Sequence, residues 1–115
     1  MKLRLFLFLL LTATSVFASD LDFTLVNQTA RSFEGLYITD SGNKDWDANL
    51  LRDGKVLAAG GKIRVRFMSD AKSDTWDFNL VDDEGLSVTF NHVKLAGVEM
   101  VTLKSVNGKI TAEIE

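Results

Sequence analysis

Beyond residue 20, apolar and polar side chains alternate along most of the chain. Phe23 and Leu25 alternate with Asp22 and Thr24, Leu36 and Ile38 with Tyr37 and Thr39, and Ile63, Val65 and Phe67 with Lys62, Arg64 and Arg66. The pattern resumes with Trp76, Phe78 and Leu80 against Asp77 and Asn79, then Leu86, Val88 and Phe90 against Ser87, Thr89 and Asn91. It closes with Ile110, Ala112 and Ile114 against Thr111, Glu113 and Glu115. Successive side chains of a strand point to opposite faces, so each run predicts a half-buried strand. Residues 98–104 are rich in β-branched side chains, alternate less cleanly, and predict one more strand.

Turn chemistry separates the runs. Asn107-Gly108 suits a type I′ turn, which needs positive φ at both central residues, and predicts a hairpin of the last two strands. Ser41-Gly42-Asn43, Gly60-Gly61 and Asp83-Glu84-Gly85 mark other breaks. Residues 46–51 could form a short helical turn. Short strands, polar turns and almost no helix predict a single-domain, all-β, antiparallel β-sandwich of about seven strands over residues 19–115.

Composition changes the picture at the N-terminus. Lys2 and Arg4 precede an apolar run over residues 5–11, and Val16-Phe17-Ala18 offers the small residues that a signal peptidase reads, so residues 1–18 are expected to be a signal peptide cut before Ser19. Thr12, Thr14 and Ser15 interrupt the apolar stretch that a membrane span would need, so no stable membrane anchor is expected after cleavage. The chain has 115 residues, 46% hydrophobic and 25% charged, the composition of a globular domain. It contains no Cys and no Pro, which excludes disulfides, thiolate chemistry and cis-proline turns. Thirteen bases stand against sixteen acids. Loss of Lys2 and Arg4 would leave eleven against sixteen, a formal −5 that disfavours nucleic acid and anionic membranes as partners.

The residues also carry a resemblance. Asp22-Phe23-Thr24-Leu25-Val26-Asn27-Gln28-Thr29, Leu36-Tyr37-Ile38, Trp46, Leu50-Leu51, Leu57 with Gly60, Trp76-Asp77-Phe78, Asp82 with Gly85, and Val101-Thr102-Leu103 resemble a family of small exported bacterial proteins of unknown function. The likeness covers the whole expected mature chain, residues 19–115, and implies a periplasmic or secreted location. Some members carry an argininosuccinate lyase label; that enzyme is a large helical protein, and the resemblance implies no such activity. Many members have Cys two residues before the Trp-Asp pair and another later in the chain, where this sequence has Asp74 and Ala96.

No catalytic apparatus is legible. His92 is the single histidine, and a lone His is ordinarily a surface or capping residue. There is no Gly-x-Ser-x-Gly elbow, no His-Glu-x-x-His and no glycine-rich phosphate loop. Trp76 opens a clean alternation and is expected in the core, facing the same interior as Ile63, Val65 and Phe67. Trp46 either pins its loop onto the sandwich with Leu50 and Leu51 or stands at a binding surface, and Tyr37, on the face opposite Leu36 and Ile38, is a second binding-surface candidate. Asn27-Gln28-Thr29 matches a glycosylation acceptor and is read as a turn after the first strand.

These observations order the function classes. A non-catalytic binding module for a protein or glycan leads, because stable β scaffolds carry function on loops and faces. A periplasmic inhibitor or immunity-type protein is the second. A calcium-binding β-sandwich is the third: if consecutive strands run antiparallel, Asp40, Asp45 and Asp47 should emerge at the same end as Asp82 and Asp83 and offer oxygens to a hard cation.

Overall fold

A computed structural model of the chain describes residues 21–43, 45–51, 53–66 and 73–115. The expected signal peptide and Phe67 lie outside these residues. Among the described residues are seven strands and no helix: β1 Phe23–Gln28, β2 Phe33–Asp40, β3 Lys62–Val65, β4 Trp76–Asp82, β5 Ser87–Val93, β6 Met100–Val106 and β7 Lys109–Ile114. They form a four-stranded sheet in the order β3-β1-β6-β7 and a three-stranded sheet in the order β2-β4-β5. Residues 46–51 form no helix; only Leu50 and Leu51 make a turn.

Alternation becomes burial on the central strands. Trp76, Phe78, Leu80 and Asp82 of β4 are buried, with half-buried residues between them. Phe23, Leu25 and Asn27 do the same on β1. Phe23, Leu25, Val65, Val101 and Leu103 from one sheet join Phe33, Leu36, Ile38, Trp76, Phe78 and Leu80 from the other in a single apolar cluster. The rings of Phe23 and Phe78 meet across it, centroids 5.7 Å apart. Each fully buried side chain of this size contributes about 1.5–3 kcal/mol. Leu86 (59% exposed) and Ile114 (41%), expected on buried faces, are exposed. They flank or end β5 and β7, the outer strands of their sheets, where no further strand extends the core.

One pairing departs from an all-antiparallel arrangement. β1 runs parallel to β6, from Thr24↔Met100 to Gln28↔Lys104, whereas β1–β3, β6–β7, β2–β4 and β4–β5 are antiparallel. A period of two is the same in either direction, so alternation cannot tell them apart. Hairpin chemistry is more informative. Asn107 (φ 51°) and Gly108 (φ 80°) both take positive φ between the paired residues Val106 and Lys109, the expected type I′ turn.

Asn27 fastens the end of β1 and is fully buried. Its Nδ2 donates to the carbonyls of Arg31 (2.6 Å), Leu57 (3.3 Å) and Ala58 (3.1 Å). Its Oδ1 accepts from the Thr29 amide (3.0 Å) and hydroxyl (2.6 Å). Opposite it the chain bulges: the Gly60 amide donates to the Asn27 carbonyl and the Asn27 amide to the Gly61 carbonyl, each at 2.8 Å, with Gly60 at φ +80°. This is the G1 bulge, in which only glycine sits comfortably at the first position. Asn27 and Gln28 therefore end a strand, and the bend follows at residues 29 and 30.

The segment of residues 49–51 and 53–57 lies against the outer edge of β2. The Leu36 amide donates to Asn49 Oδ1 (2.9 Å), the Leu50 amide to the Leu36 carbonyl (2.8 Å), and Phe33 and Leu57 exchange two bonds of 2.9 Å. Leu51 and Leu57 are thereby driven into the core, with Leu50 packed against it. Exposed strand edges invite aggregation, and this one is covered over residues 33–36.

Candidate functional site

The acidic residues do not converge. β2 and β4 are direct antiparallel neighbours, with Asp40 opposite Trp76 and Phe33 opposite Asp82. The end of β2 and the end of β4 thus lie at opposite ends of the sheet, about 20 Å apart at the rise of a strand. Asp40, Asp45 and Asp47 follow one end, and Asp82 and Asp83 the other. The expected common end fails because β3 crosses to the other sheet instead of intervening between β2 and β4. Among the described residues no three His, Asp or Glu side chains gather as a metal site.

Asp82 is instead a structural anion. Its Oδ2 accepts from Arg31 Nε (2.8 Å) and Nη2 (2.5 Å), and its Oδ1 accepts from the amides of Glu84 (2.9 Å) and Leu86 (2.8 Å). Burial pushes the pKa of this carboxyl up, but the Leu86 amide, the Arg31 guanidinium and the Glu84 amide outweigh it and hold the value below the ordinary one. Its Oδ1 is thus committed to the β4–β5 turn and its Oδ2 to Arg31.

His92 acts through its backbone. The register jumps from Trp76↔Val93 to Phe78↔Phe90, so Asn91 and His92 bulge opposite Asp77, with His92 at φ 60°. The His92 amide donates to Asp77 Oδ1 (2.9 Å), which also accepts from Ser41 Oγ (2.7 Å). The His92 amide is the main cause holding the Asp77 pKa below its ordinary value, against a smaller upward push from burial. Asp77 is a bulge clamp that ties β2, β4 and β5 together.

The two aromatic candidates separate. Tyr37 is half-buried on the outer face of β2, where a Cβ added at Gly35 would approach Tyr37 Cε1 at 3.1 Å and Val81 Cβ at 3.2 Å. The phenol ring covers the place of the absent side chain, so Gly35 and Tyr37 form a packed pair. Trp46 is 41% exposed; Leu50 and Leu51, not Trp46, carry their loop into the core.

A cavity of about 490 Å³ opens at the seam between β3 and the segment covering β2. Leu36, Leu50, Leu51, Val56, Ile63 and Val65 provide apolar walls, and Lys55, Arg64, Arg66 and Asp53 supply charge. Arg64 Nη1 donates to Thr24 Oγ1 at 3.2 Å. Among the described residues the salt bridges are Arg31–Asp82 and Lys104–Glu113, so the three cavity cations have no acidic partner there. Neither Tyr37 nor Trp46 lines this cavity. Alternation predicts Arg64 and Arg66 as the polar positions of a half-buried strand; the local sign of a basic cluster is the alternation of Lys62, Arg64 and Arg66, following Lys55, in an acidic chain. A second cavity, about 370 Å³, is lined by Leu21, Ser73, Asp74, Trp76, Lys94 and Ala96, so Asp74 and Ala96 face a common space.

Among solved structures, the chain resembles a protein from Eubacterium rectale determined by NMR. The two are 22% identical, the match covers 81% of this chain and 85% of that one, and the TM-score is 0.55. This likeness supports the fold. Neither a family model nor a curated protein matches the sequence.

Proposed function

We propose that this chain is an exported, non-catalytic binding module, built as a two-sheet sandwich, that holds an anionic group with an apolar neighbour in the seam cavity. One observation carries the reading: in a chain of net charge −3, three cations without acidic partners among the described residues stand around apolar walls. A small number of charged groups over an apolar lining is how binding clefts fix both orientation and affinity. The non-catalytic part rests on the structural use of the best acid–base candidates. Asp77 and Asp82 are hydrogen-bonded acceptors, and His92 contributes its amide. A glycan is the weaker ligand class for this cavity, because sugars favour exposed aromatic platforms and neither Tyr37, packed over Gly35, nor the exposed Trp46 lines it.

Octanoate and octylammonium, which share a tail and differ in charge, test the site by NMR titration. Octanoate is expected to move the amide signals of Ile63, Arg64, Val65 and Arg66, and octylammonium to leave them in place. Equal response to both, or shifts centred on Trp46, would refute the assignment.

A further inference from the structure

We propose that the natural occupant is an extended acidic polypeptide segment that adds as a strand to the free edge of β3, an inference that rests on the seam cavity being the binding site. β3 pairs with β1 on one side and is the outermost strand of its sheet. The bulge at Gly60 and Gly61 fixes which backbone groups remain unused. Asn27 exchanges its bonds with that bulge, so the hydrogen-bonded pairs further along the ladder are Leu25↔Ile63 and Phe23↔Val65. The intervening pairs are Val26↔Lys62 and Thr24↔Arg64, and in them the amides and carbonyls of Lys62 and Arg64 point away from β1. A row of such groups is a template for another strand.

The outer edge of β2, in the other sheet, has its template consumed by Asn49, Leu50 and Leu57. β3 has no such cover among the described residues. Its shortness and its charges blunt indiscriminate pairing, as edge strands require. What sets it apart is the cavity alongside. Strand addition draws affinity from main-chain bonds and specificity from pockets for alternate side chains. The apolar lining from Leu36, Leu50 and Ile63 suits an apolar side chain of the incoming strand, while Lys55 and Arg66, against the single acid Asp53, suit flanking carboxylates and Arg64 reaches over β1 to Thr24. A basic segment would be repelled locally. Nucleic acid shares the required charge but would meet a chain of net −3.

The purified protein is titrated with a short blocked peptide alternating Glu and Leu, its counterpart with Lys in place of Glu, the Glu–Leu peptide N-methylated at alternate amides, and octanoate. Strand addition predicts that the Glu–Leu peptide shifts the amides of Lys62 and Arg64 and slows their hydrogen exchange, that the Lys form does neither, and that N-methylation abolishes binding. Lys55→Glu and Arg66→Glu should each weaken the Glu–Leu peptide about tenfold by reversing a rim charge, with the melting temperature unchanged. If the N-methylated peptide binds as well as its parent, or octanoate moves the cavity signals while the Glu–Leu peptide does not, strand addition is wrong and the seam cavity remains a small-anion site. If no anionic probe moves any cavity residue, both readings fall.

Discussion

Asn27→Ala should be among the most damaging single substitutions in the chain, though it removes no apolar core. Its amide serves three carbonyls and two groups of Thr29 from a fully buried position. The partners do not lose equally. The Leu57 carbonyl still accepts from Phe33 and the Ala58 carbonyl from Gly61, and Thr29 Oγ1 lies 3.3 Å from the Arg31 carbonyl. The Thr29 amide is left with nothing in its place, and an orphaned buried donor costs about 1–3 kcal/mol beyond the roughly 1 kcal/mol lost per ordinary bond. With the small void included, Asn27→Ala should cost about 3–5 kcal/mol, a large part of the 5–15 kcal/mol typical of a domain. At about 4–8 °C per kcal/mol for this size, the melting temperature should fall by on the order of 20 °C. Asn27→Asp gives a sharper signature. It keeps the Thr29 bonds but turns a carboxylate towards three carbonyl oxygens, so its folded-state pKa must rise. Its penalty should be smallest below about pH 4, where the acid is protonated in both states, and grow as pH rises. Urea unfolding of both variants across pH measures this. A loss under 1 kcal/mol for Asn27→Ala, or a pH-independent loss for Asn27→Asp, would refute the assigned role.

Trp76→Ala should cost about 3–5 kcal/mol, because the side chain is only 2% exposed within the core, and a mutant melting within a few degrees of the parent would contradict that burial. Asp77 and Asp82 both have lowered pKa values, so the stability they contribute is complete above the ordinary carboxylate range and is lost as pH falls through their lower folded values. Asp82→Asn should therefore flatten the acid limb of the stability–pH curve, and a curve parallel to the parent's would count against the Arg31–Asp82 pairing.

Local chemistry was legible and long-range arrangement was not. Alternation located six of the seven described strands and β-branched enrichment the other, β6, while Asn107-Gly108 announced its hairpin, because these signals depend on residues adjacent in sequence. The partner of β1 was not legible: Phe23 and Leu25 bury the same face whether β6 runs with or against them. That gap misplaced the acids, since putting Asp40 beside Asp82 required a strand order that alternation does not encode. Asn27 read as turn chemistry because its partners at Leu57 and Ala58 are distant in the chain. The seam cavity forms only when β3 and the segment covering β2 come together, so its bases looked like an ordinary solvated face.

The position of β1 bears on how the molecule is made. β1 is the first strand among the described residues, yet it sits inside its sheet, between β3 and the parallel β6. Its second partner emerges only after five other strands have been completed or begun, and pairing across so long a connection is slow because loop closure precedes any reward. A nascent chain ending at β5 holds β1 with one side unsatisfied, so the four-stranded sheet cannot close early. Under the proposed export, this late closure would keep the polypeptide threadable through a narrow translocation channel while β1 awaits β6. Truncation before β6 should likewise give a product that holdase chaperones retain and proteases clear.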